Sequence, residues 1–207
     1  NPSIRKLRAN GNEIVYLTPR EYNSYGEADA KQQFPDCLFI PEGGLSKEGI
    51  KGAMEIVSDC LPHAPTHIIL AGGSMGTASG ILAAAPAHIK VVIVPAWKGC
   101  TDSYIYEILG KYDVTPQCSW ELWPDYHFGG FGKFNRSLID FMTTFSLNHS
   151  VPLDPVYTGK LMYAIEDKRS AGFFKEDDSI VAIHTGGLQG LEGYRYRFPE
   201  EWGCYVP

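Results

Sequence analysis

The sequence has no long apolar run, no long basic run and no closely spaced pair of cysteines. Its best apolar stretch, residues 89–96, is far shorter than the roughly 18 residues that would span a bilayer. Lys and Arg number 18 against 24 Asp and Glu, so the net charge is −6, and no basic cluster is long enough to follow a phosphate backbone. We therefore expect neither a membrane nor a nucleic acid as a partner.

The cysteines are too scattered for a disulfide framework, and their number is odd. They are Cys37, Cys60, Cys100, Cys118 and Cys204. We expect them to be reduced, in a soluble, cytoplasmic protein, and we predict no metal site. The first residue is Asn1 rather than Met, so a presequence ahead of it stays open.

Helix-like and strand-like segments alternate along most of the chain, and 44% hydrophobic residues can build the core of one medium or two small domains. The predicted helices cover residues 3–9, 26–34, 47–61, 76–85, 102–112, 135–147 and 154–167, and the predicted strands cover residues 13–17, 66–70, 90–95, 119–126 and 179–184. Units of this length predict an α/β fold, an open and mostly parallel sheet with helices on both faces. The irregular segment 18–41 is the best candidate domain boundary.

The sharpest local signal is a glycine loop that joins a buried strand to a helix. It reads Gly72-Gly73-Ser74-Met75-Gly76-Thr77-Ala78-Ser79-Gly80. Such a turn aims free backbone N–H groups and the positive helix end at one point, and Ser74 and Thr77 can add hydroxyl donors. The pattern predicts an anion site, most plausibly for phosphate.

Other interpretations of this loop stay open. No Lys follows the last glycine, so it is not a Walker A loop, and it does not fit GxGxxG spacing. A tight turn whose glycines serve packing is the simplest alternative. A nucleotide-binding domain is poorly supported, because the next strand, residues 90–95, does not end in an acidic residue that could bind a ribose.

Two further segments contain residues that could contribute to a binding site. A second glycine loop after the last strand begins at His184, Thr185 and Gly186, and loops at the carboxyl ends of parallel strands line one crevice. His184 is either catalytic or a buried imidazole bonded to a neighbouring loop, and the pattern of a lone His favours the structural role. Asp154-Pro155 predicts a helix start, with Tyr157 and Thr158 in its first turn.

Five motifs in order resemble the family of D-cysteine desulfhydrases and 1-aminocyclopropane-1-carboxylate (ACC) deaminases. The motifs are Ile40-Pro41-Glu42-Gly43-Gly44, Gly72-Gly73-Ser74-Met75-Gly76-Thr77, Tyr126-His127-Phe128-Gly129-Gly130-Phe131-Gly132, Leu153-Asp154-Pro155-Val156-Tyr157-Thr158-Gly159-Lys160 and Ile183-His184-Thr185-Gly186-Gly187-Leu188. The resemblance covers essentially the whole chain. It implies pyridoxal 5′-phosphate as cofactor, a tryptophan-synthase-β-like (fold type II) architecture and a homodimer.

The resemblance also implies roles for individual residues. The phosphate loop comprises Gly73, Ser74, Met75, Gly76 and Thr77, which agrees with the anion site inferred from the loop itself. Tyr157 resembles the active-site tyrosine beside the cofactor, and Thr158 resembles the residue that faces the pyridine nitrogen. His184, Thr185 and Gly186 are assigned to the cofactor site as well.

Thr158 bears on the reaction, because ACC deaminases carry Glu at this position and D-cysteine desulfhydrases carry Thr. A carboxylate stabilises a protonated ring nitrogen, whereas a hydroxyl leaves that nitrogen largely neutral. β-Elimination tolerates the weaker electron sink because a thiolate leaving group takes up the electrons. The resemblance therefore implies conversion of D-cysteine to pyruvate, hydrogen sulfide and ammonia, with ACC deamination as the alternative.

Two departures from the family pattern qualify this prediction. Phe131 stands where many relatives have Tyr, so a phenol is missing there. The family's Schiff-base lysine lies upstream of the segment that resembles residues 1–17, and none of Lys47, Lys51, Lys98 and Lys160 matches it. We interpret Lys160 as a helix-surface or loop-bracing residue.

We accordingly expect the chain to be the carboxyl-terminal two thirds of such an enzyme, inactive by itself. Residues 1–25 would be the remnant of a small domain, and residues 26–207 most of the large cofactor-binding domain. A different hypothesis is a naturally shortened, non-catalytic homologue that acts as a binding or interaction protein.

Overall fold

The computed structural model describes residues 2–202 and Tyr205. The helices are α1 (Pro2–Ala9), α2 (Pro19–Ser24), α3 (Glu27–Gln33), α4 (Lys47–Cys60), α5 (Gly76–Ala84), α6 (Asp102–Lys111), α7 (Arg136–His149), α8 (Thr158–Ser170), α9 (Leu191–Arg197) and α10 (Pro199–Trp202). The strands are β1 (His67–Gly72), β2 (Lys90–Pro95), β3 (Ser119–Leu122) and β4 (Ile180–Ile183). Short 3-10 turns lie at Glu42–Gly44, Leu61–His63, Pro124–His127 and Leu188–Gly190.

The four strands form one parallel sheet in the order β3-β2-β1-β4. Strand β1 lies between β2 and β4, with Ile69 opposite Val92 on one side and Ala182 on the other. Parallel strands need long crossover connections, and helices supply them here. This architecture confirms the predicted α/β fold with an open, mostly parallel sheet.

Helices cover both faces of the sheet, as strand alternation requires. Ile68 and Leu70 of β1 point into a core shared with α4, α5 and α6. Ile69, between them, points to the opposite face and packs with Leu161 and Ala164 of α8. Because both faces are covered, β1 and β2 are nearly continuous apolar runs rather than alternating ones.

Polar side chains begin several of these helices. Ser46, Thr101 and Asn135 each accept a hydrogen bond from the backbone N–H three residues later, at the starts of α4, α6 and α7. Each cap satisfies an N–H group that has no partner within its helix.

The predicted strand at residues 13–17 is wrong. These residues form no regular structure, and Val15 and Tyr16 are 43% and 64% exposed. A strand requires a neighbouring strand for its backbone hydrogen bonds, and residues 13–17 pair with none of β1 to β4. The apolar pattern of this segment is therefore not a burial pattern.

Three other boundaries differ from the prediction. Helix α2 falls in the segment predicted to be irregular, where Thr18 and Glu21 form a capping box with Pro19 between them. Strand β3 ends at Leu122 rather than residue 126, because Pro124 begins a 3-10 turn. Helix α8 begins at Thr158 rather than residue 154, after a turn.

The described cysteines are all free thiols: Cys37, Cys60, Cys100 and Cys118. Cys204 lies outside the described residues. Within residues 2–202, no helix is both long enough and apolar enough to cross a membrane.

Candidate functional site

The connection from β1 to α5 leaves several backbone N–H groups without helical partners. Met75, the residue before the helix, takes a left-handed backbone with φ = 70°. The first hydrogen bond of α5 joins the Ser79 N–H to the Met75 carbonyl at 2.8 Å. The N–H groups of residues 76–78 therefore have no acceptor within the helix, and the positive end of its dipole lies beside them.

A cavity of about 180 Å³ opens at this helix start. Its lining consists of Gly43, Ala71, Gly73, Ser74, Met75, Gly76, Thr77, Ala78, Tyr157 and Thr185. The structure thus brings the five predicted phosphate-loop residues together with Tyr157 and Thr185. Thr158, His184 and Gly186, which we also predicted to be cofactor contacts, are not among the lining residues.

Ser74 closes one side of the cavity. Its hydroxyl donates to the Gly43 carbonyl at 3.2 Å, which holds the Glu42–Gly44 turn against the loop. A Cβ at residue 43 would lie 2.5 Å from Ser74 Oγ, and φ of 64° is also a left-handed value. Only glycine combines this close approach with this backbone conformation. Gly43 belongs to one of the five motifs, but its sequence pattern does not mark it as a site residue.

Tyr157 forms the opposite wall of the cavity. Its ring lies over Gly73, where a Cβ would be 3.0 Å from Tyr157 Cε1 and 3.3 Å from the phenolic oxygen. Burial raises the pKa of the phenol, and the nearby carboxyl groups of Asp154 and Glu42 raise it further. Tyr157 therefore keeps its proton at neutral pH and can serve as a hydrogen-bond donor.

Phe131 packs against Tyr157. Their ring centroids are 6.0 Å apart in an edge-to-face arrangement, and Phe131 is 62% exposed. The glycine loop at residues 129–132 carries this side chain, and φ is positive at Gly129, Gly130 and Gly132.

Asp154 organises the turn that presents Tyr157. Its carboxyl group is buried, and Oδ1 accepts the N–H groups of Val156 and Tyr157 at 2.8 and 2.9 Å. Oδ2 accepts the Thr158 N–H at 2.9 Å and the Thr158 hydroxyl at 2.7 Å. The predicted cap is thus present, but it serves the turn before the helix. Asp followed by Pro is the signal that revealed it.

Thr158 is buried, and its hydroxyl is already engaged. It donates to Asp154 Oδ2 and accepts the Asp154 N–H at 2.8 Å. Its assignment to the cofactor ring stays a prediction.

His184 connects two loops beside the cavity. Its Nδ1 accepts the Gly186 N–H at 3.2 Å, and its Nε2 lies 2.9 Å from the Pro152 carbonyl. These bonds require the tautomer with the proton on Nε2, which donates to Pro152. The predicted bond to a neighbouring loop is present, but the prediction that the imidazole is buried is wrong, because His184 is exposed. Cofactor contact by His184 and Gly186 stays a prediction.

Tyr205 anchors the same region from the far end of the chain. Its buried hydroxyl accepts the Leu153 N–H at 3.0 Å and donates to the Leu153 carbonyl at 2.9 Å. Ser146 Oγ is 3.1 Å from the same oxygen. The residue before Asp154 is therefore fixed by a tyrosine that sequence analysis did not consider.

Lys160 is not a helix-surface residue, because it is only 1% exposed. Its Nζ donates to the carbonyls of Ala96, His127 and Gly130, each at 2.9 Å. The loop-bracing interpretation fits these contacts. Burial lowers the pKa of the ammonium group to about 8, and Asp154 opposes that shift.

The cavity suits the phosphate ester of a small cofactor. It offers the free N–H groups of residues 76–78, the hydroxyls of Thr77 and Thr185, and a protonated phenol. The glycine at residue 73 leaves open the space beside Tyr157 that a Cβ would take. No lysine is among the lining residues, all of which the structure describes.

A protein family and several curated proteins are similar to this chain in sequence. Residues 1–186 match the family described as "Pyridoxal-phosphate dependent enzyme". D-cysteine desulfhydrases of Salmonella paratyphi C and Salmonella typhi are each 32% identical over 170 residues, which cover 75% of this chain and 52% of the relative. The chain thus spans about half the length of these curated relatives.

A solved structure is similar as well. A crystal structure described as an ACC deaminase homologue superposes with a TM-score of 0.75 and 26% identity, covering 92% of this chain and 63% of the other. The matches confirm the resemblance inferred from the motifs, and the family's description confirms the predicted cofactor. The chain belongs to the family of pyridoxal-phosphate-dependent enzymes.

Proposed function

We propose that the chain forms the phosphate-binding part of a lyase that converts D-cysteine to pyruvate, hydrogen sulfide and ammonia. The observation that carries the proposal is the cavity in which free N–H groups of α5 face Tyr157. The names of the curated relatives support the choice of D-cysteine.

The loop after β1 would bind the phosphate ester. The N–H groups of residues 76–78 supply donors and the helix end supplies positive potential, while Thr77 and Thr185 add hydroxyls from two sides of the cavity. When bound, pyridoxal phosphate supplies an electron sink for the electrons released at the substrate Cα. The five loop residues therefore orient the cofactor and take no part in proton transfer.

Tyr157 would hold a proton beside the reacting atoms. Its raised pKa keeps the phenol neutral, so the hydroxyl can donate to a departing thiolate. We expect Tyr157→Phe to lower kcat while cofactor binding is retained, since the ring that packs on Gly73 is unchanged. Phe131→Tyr would add a second phenol next to Tyr157 and serves as the companion variant.

Thr158 supports the choice of β-elimination within this proposal. The position corresponds to the partner of the pyridine nitrogen, and a neutral hydroxyl there suits a reaction with a good leaving group. Since the hydroxyl proton is directed at Asp154, the hydroxyl would have to rotate away from Asp154 to donate to a neutral ring nitrogen. Asp154 thereby determines what Thr158 can offer the ring.

None of this chain's lysines is proposed to form the covalent link to the cofactor. No lysine lines the cavity, and the ammonium group of the buried Lys160 is bonded to three carbonyls. We therefore assign the activity to the complete protein and expect the chain alone to bind the cofactor without turnover.

The second candidate function is ACC deamination, which the similarity to an ACC deaminase homologue favours. A non-catalytic homologue that keeps only the binding site is the third.

The proposal further includes a small amino-acid substrate, a homodimer, a cytoplasmic location and a division of the chain into residues 1–25 and 26–207. The free thiols of the described cysteines support a reducing compartment.

Two experiments test the proposal. The chain is mixed with pyridoxal phosphate, reduced with borohydride and mapped by mass spectrometry; we expect saturable binding that inorganic phosphate competes for, and no reduced lysine adduct. A lysine adduct in the cavity would refute the lysine assignment. The complete protein is then assayed with D-cysteine and with ACC. Sulfide and pyruvate are expected, and 2-oxobutyrate without sulfide would establish the second candidate instead.

A further inference from the structure

The ammonium group of Lys160 joins three parts of the chain: α8, which carries it, the residue after β2, and the turn at residues 127–130. It donates to Ala96 at the end of β2, to His127 in the 3-10 turn, and to Gly130 in the glycine loop. The side chain itself starts in the first turn of α8. Three hydrogen bonds are the full donor capacity of a lysine ammonium group, so every donor is used.

Each of these parts of the chain lies next to a lining residue or carries a side chain that contacts one. The Ala96 N–H donates to the Gly72 carbonyl at 2.9 Å, next to the start of the phosphate loop. The glycine loop carries Phe131, and the start of α8 follows Tyr157. A single cation therefore connects the phosphate loop, the exposed aromatic ring and the phenol.

We propose that Lys160 is a positioning residue, whose charged ammonium group holds the end of β2, the turn at residues 127–130 and the start of α8 together beside the cavity. The inference rests on the proposed function only for the role of the cavity. The contacts themselves belong to the chain and exist without a cofactor.

The positive charge matters because few other hydrogen bonds hold the loop at residues 127–132; one of them runs from the Tyr194 hydroxyl to the Gly132 carbonyl at 2.9 Å. The loop's described internal bonds are two turn contacts, from the Gly130 N–H to the His127 carbonyl and from the Lys133 N–H to the Gly130 carbonyl, at 3.0 and 3.1 Å, and a bond from the Gly129 N–H to His127 Nδ1 at 2.9 Å. Lys160 reinforces both carbonyls of those turns from the core side. Hydrogen bonds from a charged donor are stronger than neutral ones, so loss of the charge loosens this loop most.

Deprotonation removes one of the three bonds. A neutral amine has two hydrogens and directs its lone pair at the third carbonyl. The charged side chain that acts on Lys160 is that of Asp154, which favours the ammonium form, while burial favours the amine and brings the pKa to about 8. The change therefore falls in the alkaline range.

As the pH rises, the unfolding free energy of the whole chain should increase while the loop at residues 127–132 loosens. The two effects can therefore be measured separately. A lysine whose pKa is lower in the folded state than in the unfolded state contributes an unfolding free energy that increases from about pH 8 towards the unfolded pKa of about 10.4. Loosening of the loop in this window is therefore not a sign of general unfolding.

The test is amide hydrogen exchange of residues 128–133, expressed as protection factors so that the intrinsic pH dependence is divided out. In the unchanged chain we expect protection to fall about tenfold between pH 7 and pH 10, while residues 47–60 of α4 stay constant. Lys160→Met is expected to show the low protection at every pH. Lys160→Arg, whose guanidinium stays charged, is expected to keep the protection at pH 10.

Lys168→Met is the matched control, because Lys168 lies on the same helix and its ammonium group contacts the rings of Trp123 and Phe173 instead. It should behave as the unchanged chain. Protection that is flat with pH, or unaltered in Lys160→Met, overturns the proposal. If Lys160→Met does not fold, the pH series of the unchanged chain decides alone. None of these measurements includes pyridoxal phosphate. A result that contradicts the role of Lys160 would therefore leave the proposed function unaffected.

Discussion

The ring of Tyr157 lies so close to Gly73 that a methyl group on residue 73 would be 3.0 Å from Tyr157 Cε1. The loop after β1 and the Tyr157 phenol are therefore one packed unit. A glycine at this position keeps the phenol at the cavity wall, and a larger residue would displace it.

Gly73→Ala tests this contact. The added methyl has to push the Tyr157 ring aside, at a cost of about 1–3 kcal/mol, so we expect affinity for pyridoxal phosphate to fall roughly ten- to a hundredfold. Fluorescence titration of the chain with the cofactor measures it. Gly110→Ala is the control, because its Cβ meets nothing within 4 Å. Unchanged affinity in Gly73→Ala would mean that Tyr157 is not held against the loop.

Asp154→Asn tests the organisation of the turn before α8. An amide nitrogen in place of either carboxylate oxygen cannot accept the N–H groups or the hydroxyl that are bonded there, so the unfolding free energy should fall by about 1–3 kcal/mol. The pKa of Tyr157 should also decrease, since Asp154 contributes to its elevation. Urea denaturation and ultraviolet titration of the phenol report these changes, with Asp177→Asn on the exposed surface as control.

Gly80→Ala tests the close contact between α4 and α5. Its Cβ would lie 2.5 Å from Ala53 Cβ and 2.6 Å from the Ile50 carbonyl, and backbone atoms cannot move aside cheaply. We expect a loss of at least about 1–3 kcal/mol of unfolding free energy in urea denaturation.

Gly52→Ala is the matched control on α4, where the Cβ meets nothing within 4 Å. It should instead gain about 0.5–1 kcal/mol, because alanine is the better helix former. Equal effects in the two variants would show that the helices are not in tight contact at Gly80.

His67 makes stability depend on pH. Burial lowers its pKa, Lys90 acts in the same direction, and Asp178 and Glu121 oppose it. A histidine with a lowered folded pKa stabilises the fold above its ordinary value of about 6.5, and this stabilisation is lost as the pH falls. The unfolding free energy should therefore decrease between pH 7 and pH 5.

His67→Gln should flatten that decrease, while His88→Gln, at an exposed position, should leave it unchanged. The experiment is a series of urea denaturations at half-unit steps of pH. A slope that persists in His67→Gln would assign the effect to another group. Asp178, whose pKa is lowered by its bonds to the Lys175 N–H and Thr66, acts at still lower pH.

The sheet and the glycine-rich connection from β1 to α5 were predictable because their signals are local. An apolar run followed by small residues identifies β1 and the start of α5 wherever they are placed in the fold. The strand predicted at residues 13–17 failed for the opposite reason, since pairing depends on a partner that local pattern does not supply.

Lys160 shows what lay beyond the sequence. Its three acceptors are 64, 33 and 30 residues away along the chain, and nothing about a lysine near a helix start indicates burial. Gly43 and Tyr205 likewise acquire their roles through distant contacts with Ser74 and Leu153. Such contacts follow from the fold and not from any motif.

The anchoring of Leu153 by Tyr205 carries a consequence for distant substitutions. Because the turn that presents Tyr157 is fastened to the Tyr205 hydroxyl, removing that one oxygen would loosen a wall of the cavity from 52 residues away. A lesion that touches neither the cavity nor its motifs can therefore weaken it.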